Sequence, residues 1–369
     1  MVKRTSIIAV LVLGLISSCY GQATVGYYNN KCGTKDVESI IRGVAKARFS
    51  YEPAIVAFLL RLQFHDCLGD KQCDASLLLA GPGSEQTAVP NFTVKGYDLI
   101  DAIKAALEQE CPGVVSCSDI IAAATRDAVV LAGGSYYDVP MGRKDGLVGL
   151  ASNVDLPPPD ISVANAIQYY GKEGFSALET VVLLGGHTVG VTHCSVIKDR
   201  LHNFKGTQQP DPSLDAFYVF LLGNVICPMA DDMFIFLDSP NSVVTVDNSY
   251  YKMLLEHKGI LPIDNAIAFD PTTSGYVNDL ANNNDYFLDL FGKTIVKMGL
   301  IGVLTGNQGE IRQTLLSGLR IIYGIVSPVA TVGKHVKHEN KRQQKMHSSL
   351  VAAGKRKHIK HDMTYKRKI

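Results

Sequence analysis

Arg61-Leu62-Gln63-Phe64-His65-Asp66-Cys67 follows directly on an apolar run, Ile55-Val56-Ala57-Phe58-Leu59-Leu60, and the two read as one buried helix opening after Pro53. Arg61 and His65 are four residues apart, so both side chains project from one helix face. A base that can take and return a proton, beside a permanent cation, suits heterolysis of an oxygen–oxygen bond. The imidazole moves the proton between the two oxygens while the guanidinium stabilises the developing charge. Taken alone, such a pair is more often a surface feature or a satisfied structural contact, so the rest of the chain has to decide.

The chain has 369 residues, 46% hydrophobic and 19% charged, enough for one large or two modest globular units. Residues 1–21 read as a secretory signal. Lys3 and Arg4 precede the apolar stretch from Ile7 to Ile16, and Cys19 and Gly21 lead to a cleavage point before Gln22. That stretch is too short for a spanning helix, and no later run is long enough, so no membrane partner is expected. Removing Cys19 leaves Cys32, Cys67, Cys73, Cys111, Cys117, Cys194 and Cys227, an odd number for a disulfide framework.

A net charge of +1 conceals an asymmetry. Lys334 to Ile369 carries twelve Lys/Arg against two acids, leaving 24 basic and 33 acidic residues in the acidic body. Helical spacing runs through Val37–Arg48, Ile55–Asp66, Tyr97–Gln109, Ser118–Leu131, Val163–Tyr170 and Ala177–Leu184. Ser118 and Asp119 stand where an N-cap is expected, and Ser176 with Glu179 resembles a capping box. No long alternating run marks a sheet. Pro157-Pro158-Pro159 reads as a stiff connector between two halves.

From about Gln22 to Arg312 the sequence resembles the secretory plant (class III) haem peroxidases. The likeness is carried by RLQFHDC, CDASLLL at 73–79, the run 116–134, VPMGRKDG at 139–146 and LPPP at 156–159. It continues in LLGGHTVGVTHC at 183–194, the run 199–215, DNSYYKMLL at 247–255 and KMGLIGVLTGNQGEIR at 297–312. The resemblance implies an all-α, two-lobed fold over residues 22–315, with haem b between a distal and a proximal lobe. It makes His65 the distal acid/base, Arg61 its charge-stabilising partner and Phe64 a pocket wall. Asn91 would hold the His65 tautomer, His187 would ligate the iron, and Asp264 would accept from His187. Asn91 also heads the only Asn-X-Ser/Thr sequon, which burial behind His65 would close to glycans.

By the same likeness Pro159 receives aromatic donors through its carbonyl, and two Ca2+ sites are implied. Asp66, Gly69, Asp74 and Ser76 would form the distal one; Thr188, Ser242, Thr245 and Asp247 the proximal one. The implied bridges are Cys32–Cys111, Cys67–Cys73 and Cys194–Cys227.

The chain leaves the family pattern at four places. Five residues rather than four lie between Cys67 and Cys73, inside the distal calcium loop. Ser239 stands where a proximal calcium Asp is usual, with Asp238 one residue out of register. No Trp is present and Tyr137 holds that position, while Phe58 and His193 replace polar residues near a haem propionate. Leu315 replaces the cysteine that usually pairs with Cys117, which leaves Cys117 free.

Residues 316–369 resemble nothing in the family. They read as an altered reading frame or retained intron, as a basic anchor for acidic wall polysaccharide, or as a sorting extension or inert disorder. The secretory signal argues against nucleic acid as a partner.

The expected function is a secreted peroxidase, extracellular, at the cell wall or vacuolar, monomeric, acting on H2O2 and small phenolic donors in one-electron steps. The alternatives are a catalytically silent peroxidase-like wall-binding protein and an intracellular ascorbate-type peroxidase, the latter disfavoured by the signal and the cysteines.

Overall fold

Some helices here start at a side-chain cap and others rest on burial alone. In the computed structural model, which describes residues 23–227 and 233–315, α1 (Val37–Phe49) opens at Asp36, whose carboxylate accepts from the N–H groups of Glu38 and Ser39. The next helix, α2 (Ile55–Gly69), has no side-chain cap, but eleven of its fifteen residues are buried. α3 (Tyr97–Glu110) packs on α1, and α4 (Cys117–Leu131) packs on α1, α2 and α3. Residues 1–21 and 316–369, read above as a signal and a basic extension, lie outside the described residues.

The cap of α4 differs from the sequence expectation. It is Ser116, extended at φ −73° and ψ 153°, whose hydroxyl accepts the Asp119 N–H at 3.1 Å. An N-cap needs non-helical backbone, and Ser118 and Asp119 already lie inside the first turn. Their side chains serve elsewhere. Ser118 donates to the Cys73 carbonyl at 2.7 Å, and Asp119 accepts from Tyr28 (2.7 Å), Gly142 N–H (2.7 Å) and Arg143 (2.9 Å).

Past the proline connector come α5 (Val163–Gly171), α6 (Ala177–Leu184), α7 (Cys194–His202) and α8 (Ala216–Leu221). Then follow α9 (Ser249–Leu255), α10 (Pro262–Phe269), α11 (Ser274–Asn282) and α12 (Asn284–Met298). Ser176 and Glu179 form the capping box of α6. α9, α10 and α11 pack on one another, while α12 packs on α6 and reaches back to α2. The fold is therefore all-α in two helical groups, α1–α4 and α5–α12. The one small sheet among the described residues pairs β1 (Val191–His193) with β2 (Phe234–Phe236) antiparallel. Strands of three residues are too short to leave an alternating pattern in the sequence.

Three disulfides join Cys32–Cys111, Cys67–Cys73 and Cys194–Cys227. Cys117 is free and buried, and burial pushes its thiol well above the ordinary range, which makes it a poor nucleophile. Polar contacts span the place of the missing bridge. Asp145 accepts from the N–H groups of Ser118 and Arg312, each at 3.0 Å. The buried Arg312 guanidinium donates to the carbonyls of Ala75 (2.9 Å), Gly146 (3.0 Å) and Asp74 (3.3 Å). Leu315 itself is buried. Where Trp is usual, Tyr137 occupies the space that a side chain at Gly292 of α12 would need, with a Cβ there only 2.9 Å from its ring.

Candidate active site

α2 brings Arg61, Phe64 and His65 together, and the short turn 89–91 supplies Asn91. His65 Nδ1 lies 2.6 Å from Asn91 Oδ1, and the Asn91 amide nitrogen donates to the Glu85 carbonyl at 2.8 Å. That second bond fixes which end of the amide faces the imidazole, so Nδ1 carries the proton and Nε2 is the acceptor. Arg61 Nε points at Nε2 from 3.1 Å. Burial, then the charge of Arg61, push the His65 pKa down to about 4, against a smaller upward pull from Asn91. At neutral pH the ring is an uncharged base whose Nε2 lone pair receives the Arg61 Nε–H. Asn91 is 2% exposed with its nitrogen engaged, so the folded protein cannot present this sequon to a glycan.

His187 lies in the 3₁₀ turn Gly185–Thr188 that ends α6. Its Nδ1 is 2.8 Å from Asp264 Oδ1, and the same oxygen accepts the Tyr250 hydroxyl at 2.9 Å. Asp264 Oδ2 takes the Leu261 N–H at 3.3 Å, so α10 delivers a wholly buried carboxylate with three donors. Burial pulls the His187 pKa down, but the charge and hydrogen bond of Asp264 outweigh it and the net shift is upward. The imidazole is enclosed by protein, yet 30% of its side chain stays open, as at the floor of a cleft.

The two halves face each other. The positive charge of Arg61 is felt at His187, and a Cβ on Gly190 would lie 3.3 Å from Ala57 of α2. Phe58 and Phe64 are half-buried on the same helix, and the Phe64 ring meets His65 edge-on at 5.5 Å. Pro159 is exposed, and its carbonyl accepts the Ile263 N–H at 3.1 Å, which ties the connector to the helix bearing Asp264.

Around Thr188 the oxygens satisfy one another. Its hydroxyl lies 2.9 Å from Asp238 Oδ2, 2.9 Å from the Asp247 carbonyl and 3.3 Å from the Thr245 carbonyl. Ser242 donates to Asp247 Oδ2 at 2.6 Å and Ser249 to Asp238 Oδ2 at 2.5 Å. Asp238 therefore enters the cluster from one residue before the usual place.

The distal oxygens are less well provided. Asp66 Oδ2 accepts the Ala75 N–H at 3.1 Å and Asp74 Oδ1 the Ser76 N–H at 2.9 Å. Asp66 Oδ1 and both oxygens of Glu85 are buried without a partner. Burial and neighbouring carboxylates hold Asp66 well above the carboxylate range and push Glu85 up to about 8. The Gly69 carbonyl does not face this cluster freely, since it accepts the Asp155 N–H at 2.7 Å. Glu85 is a residue that sequence reading missed, because nothing near it in the chain marks it; only burial without a partner does. Among the described residues no three His, Cys, Asp or Glu side chains stand as a closed metal cage.

A family model described as Peroxidase matches residues 41–283. Peroxidase 57 of Arabidopsis thaliana is 43% identical over 314 residues, covering 85% of this chain and 98% of that protein. Peroxidase 60 of the same plant is 45% identical over 328 residues, covering 86% and 98%. Peroxidase 28 is 42% identical over 310 residues, covering 83% and 96%.

Proposed function

Because the chain belongs to the plant class III peroxidase family, we propose that this peroxidase works through a haem held by His187, with His65 and Arg61 acting on H2O2 across the cleft. The donor set fits that group. His187 has its Nδ1 committed to Asp264, while 30% of its side chain stays open. When bound, the haem would supply an iron centre able to store the two oxidising equivalents of H2O2 and release them singly to donors.

The residues do the rest. His65 Nε2 takes the proton from one peroxide oxygen and returns it to the other, which leaves as water. Arg61 stabilises the negative charge on the oxygens as their bond breaks. Asn91 keeps the His65 proton on Nδ1, so Nε2 is always the atom presented. Asp264 draws on the Nδ1 proton of His187 and makes the other nitrogen more electron-rich. Phe64 narrows the approach, and the Pro159 carbonyl, which already accepts the Ile263 N–H, has a second lone pair for a phenol hydroxyl. Over one cycle H2O2 and two phenols give two waters and two phenoxyl radicals.

The carrying observation is the unbroken chain from the Glu85 carbonyl through Asn91 and His65 to Arg61, facing His187 and Asp264. It favours an active enzyme over the silent wall-binding reading. Calcium at the two oxygen clusters, secretion, a monomeric state and wall polysaccharide as a partner of residues 316–369 complete the proposal. No described helix is long and apolar enough to cross a membrane. Purified secreted protein should carry a Soret band and oxidise a simple phenol only when H2O2 is added. Folded protein that takes up no haem would overturn this reading.

A further inference from the structure

The loop between Cys67 and Cys73 is where the chain is one residue longer, and two of its backbone oxygens are already engaged. The Leu68 carbonyl accepts from Lys71 Nζ at 2.7 Å and from the Tyr169 hydroxyl at 3.1 Å. The Gly69 carbonyl accepts the Asp155 N–H at 2.7 Å. Lys71 adopts φ 69°, in the left-handed region, where the chain turns sharply back toward Cys73. This turn leaves Asp70 with Oδ1 on the Gln72 N–H at 3.1 Å and Oδ2 at 3.4 Å from the Ser76 hydroxyl.

That hydroxyl is a meeting point. Its single proton faces the Asp70 carboxylate, and the charges of Asp74 and Glu85 act on that same neighbourhood. Beside them Asp66 Oδ1 and both Glu85 oxygens are unpartnered, on side chains 1% and 0% exposed. The nearby cations do not answer four carboxylates. Lys71 Nζ is spent on the Leu68 and Asp155 carbonyls and the Tyr169 hydroxyl. Arg312 Nη1 and Nη2 are spent on backbone carbonyls. Buried carboxylate oxygens with neither proton donor nor counter-ion are costly, and a hard divalent cation is what satisfies such a set.

We propose that the distal site of this chain binds Ca2+ with the Asp70 carboxylate as a ligand, in place of the Gly69 carbonyl that the longer loop commits to Asp155. The inference deepens the calcium part of the function proposed above and rests on it. Ca2+ suits an irregular set of carboxylate and hydroxyl oxygens, whereas Mg2+ demands a stricter octahedron and keeps its waters. The ion gathers ligands that do not by themselves form a closed cage. It also steadies the active site, because Asp66 adjoins His65 and the Glu85 backbone holds Asn91.

The test uses the secreted, haem-loaded chain as wild type, Asp70→Asn and Asp238→Asn. Ca2+ affinity is measured after chelation, with thermal unfolding at graded free Ca2+. Asp70→Asn should weaken one Ca2+ site by about tenfold or more, while Asp238→Asn leaves that site unchanged. In chelator Asp70→Asn should melt at or above wild type, because a like charge is gone; in excess Ca2+ it should melt below, so the curves cross. Tb3+ gives a direct readout through tyrosine-sensitised emission, as Tyr97 feels the charges of Glu85 and Asp66. Affinity within about twofold of wild type, parallel melting curves, or undiminished Tb3+ emission in Asp70→Asn would each sink the proposal. A missing Soret band would instead count against the reaction, because the calcium readouts do not depend on activity.

Discussion

His65 and His187 face one cleft with opposite partners. His65 gives its Nδ1 proton to a neutral amide at 2.6 Å and has a guanidinium at its other nitrogen; burial first, then that positive charge, lower its pKa to about 4. His187 gives the same proton to a fully buried carboxylate at 2.8 Å, and its pKa rises. Both are deep in protein, so burial alone does not separate them. The charge of the partner does. One ring stays neutral, ready to take a proton; the other becomes a strong donor, suited to hold a metal.

The largest break in that contrast comes from removing the proposed proton carrier. His65→Leu should lower kcat/KM for H2O2 by about 10²–10⁴-fold while the Soret band persists. A loss of less than about tenfold would mean that another group moves the proton. Next comes Asp264→Asn, which puts a neutral amide behind both histidines. A partner of this kind is typically worth about 10–100-fold in affinity or activity. The expected signature is that loss together with a weakened iron–histidine stretch in the ferrous protein. An unchanged stretch would show that Asp264 only supports packing with Tyr250.

How much of this could be read from the chain follows from how far apart the parts lie. Arg61 and His65 were legible from periodicity, because four residues on a helix fix their relation. His187 and Asp264 are 77 residues apart, and only family likeness could join them. Cap assignment failed at α4 because Ser116, Ser118 and Asp119 are all capping residue types, and only backbone angles choose among them. Asp238 against Ser239 was undecidable for a similar reason, since a one-residue offset is absorbed by a turn that sequence does not specify. Glu85 and Asp70 were invisible as site residues. Their significance lies in unpaired oxygens and redirected carbonyls, which exist only once the chain is folded.

The finest adjustment exchanges the distal amide for a carboxylate. Asn91→Asp keeps size and position, so an oxygen still meets His65 Nδ1, but it adds a negative charge beside a ring that now feels only the positive Arg61. Burial is the largest cause of the low His65 pKa and remains, as does Arg61, while the new charge opposes both. The sign follows directly. Wild-type His65 is the free base above about pH 4, so peroxide capture should hold nearly level from neutral pH until that point. In Asn91→Asp the imidazolium is stabilised, and the acid limb of kcat/KM for H2O2 should move upward, toward the ordinary histidine value of about 6.5. At pH 8 the two proteins should differ by only a few-fold, because both then hold His65 neutral and correctly tautomerised. A limb that stays in place would mean that the amide's neutrality is not what separates the two histidines.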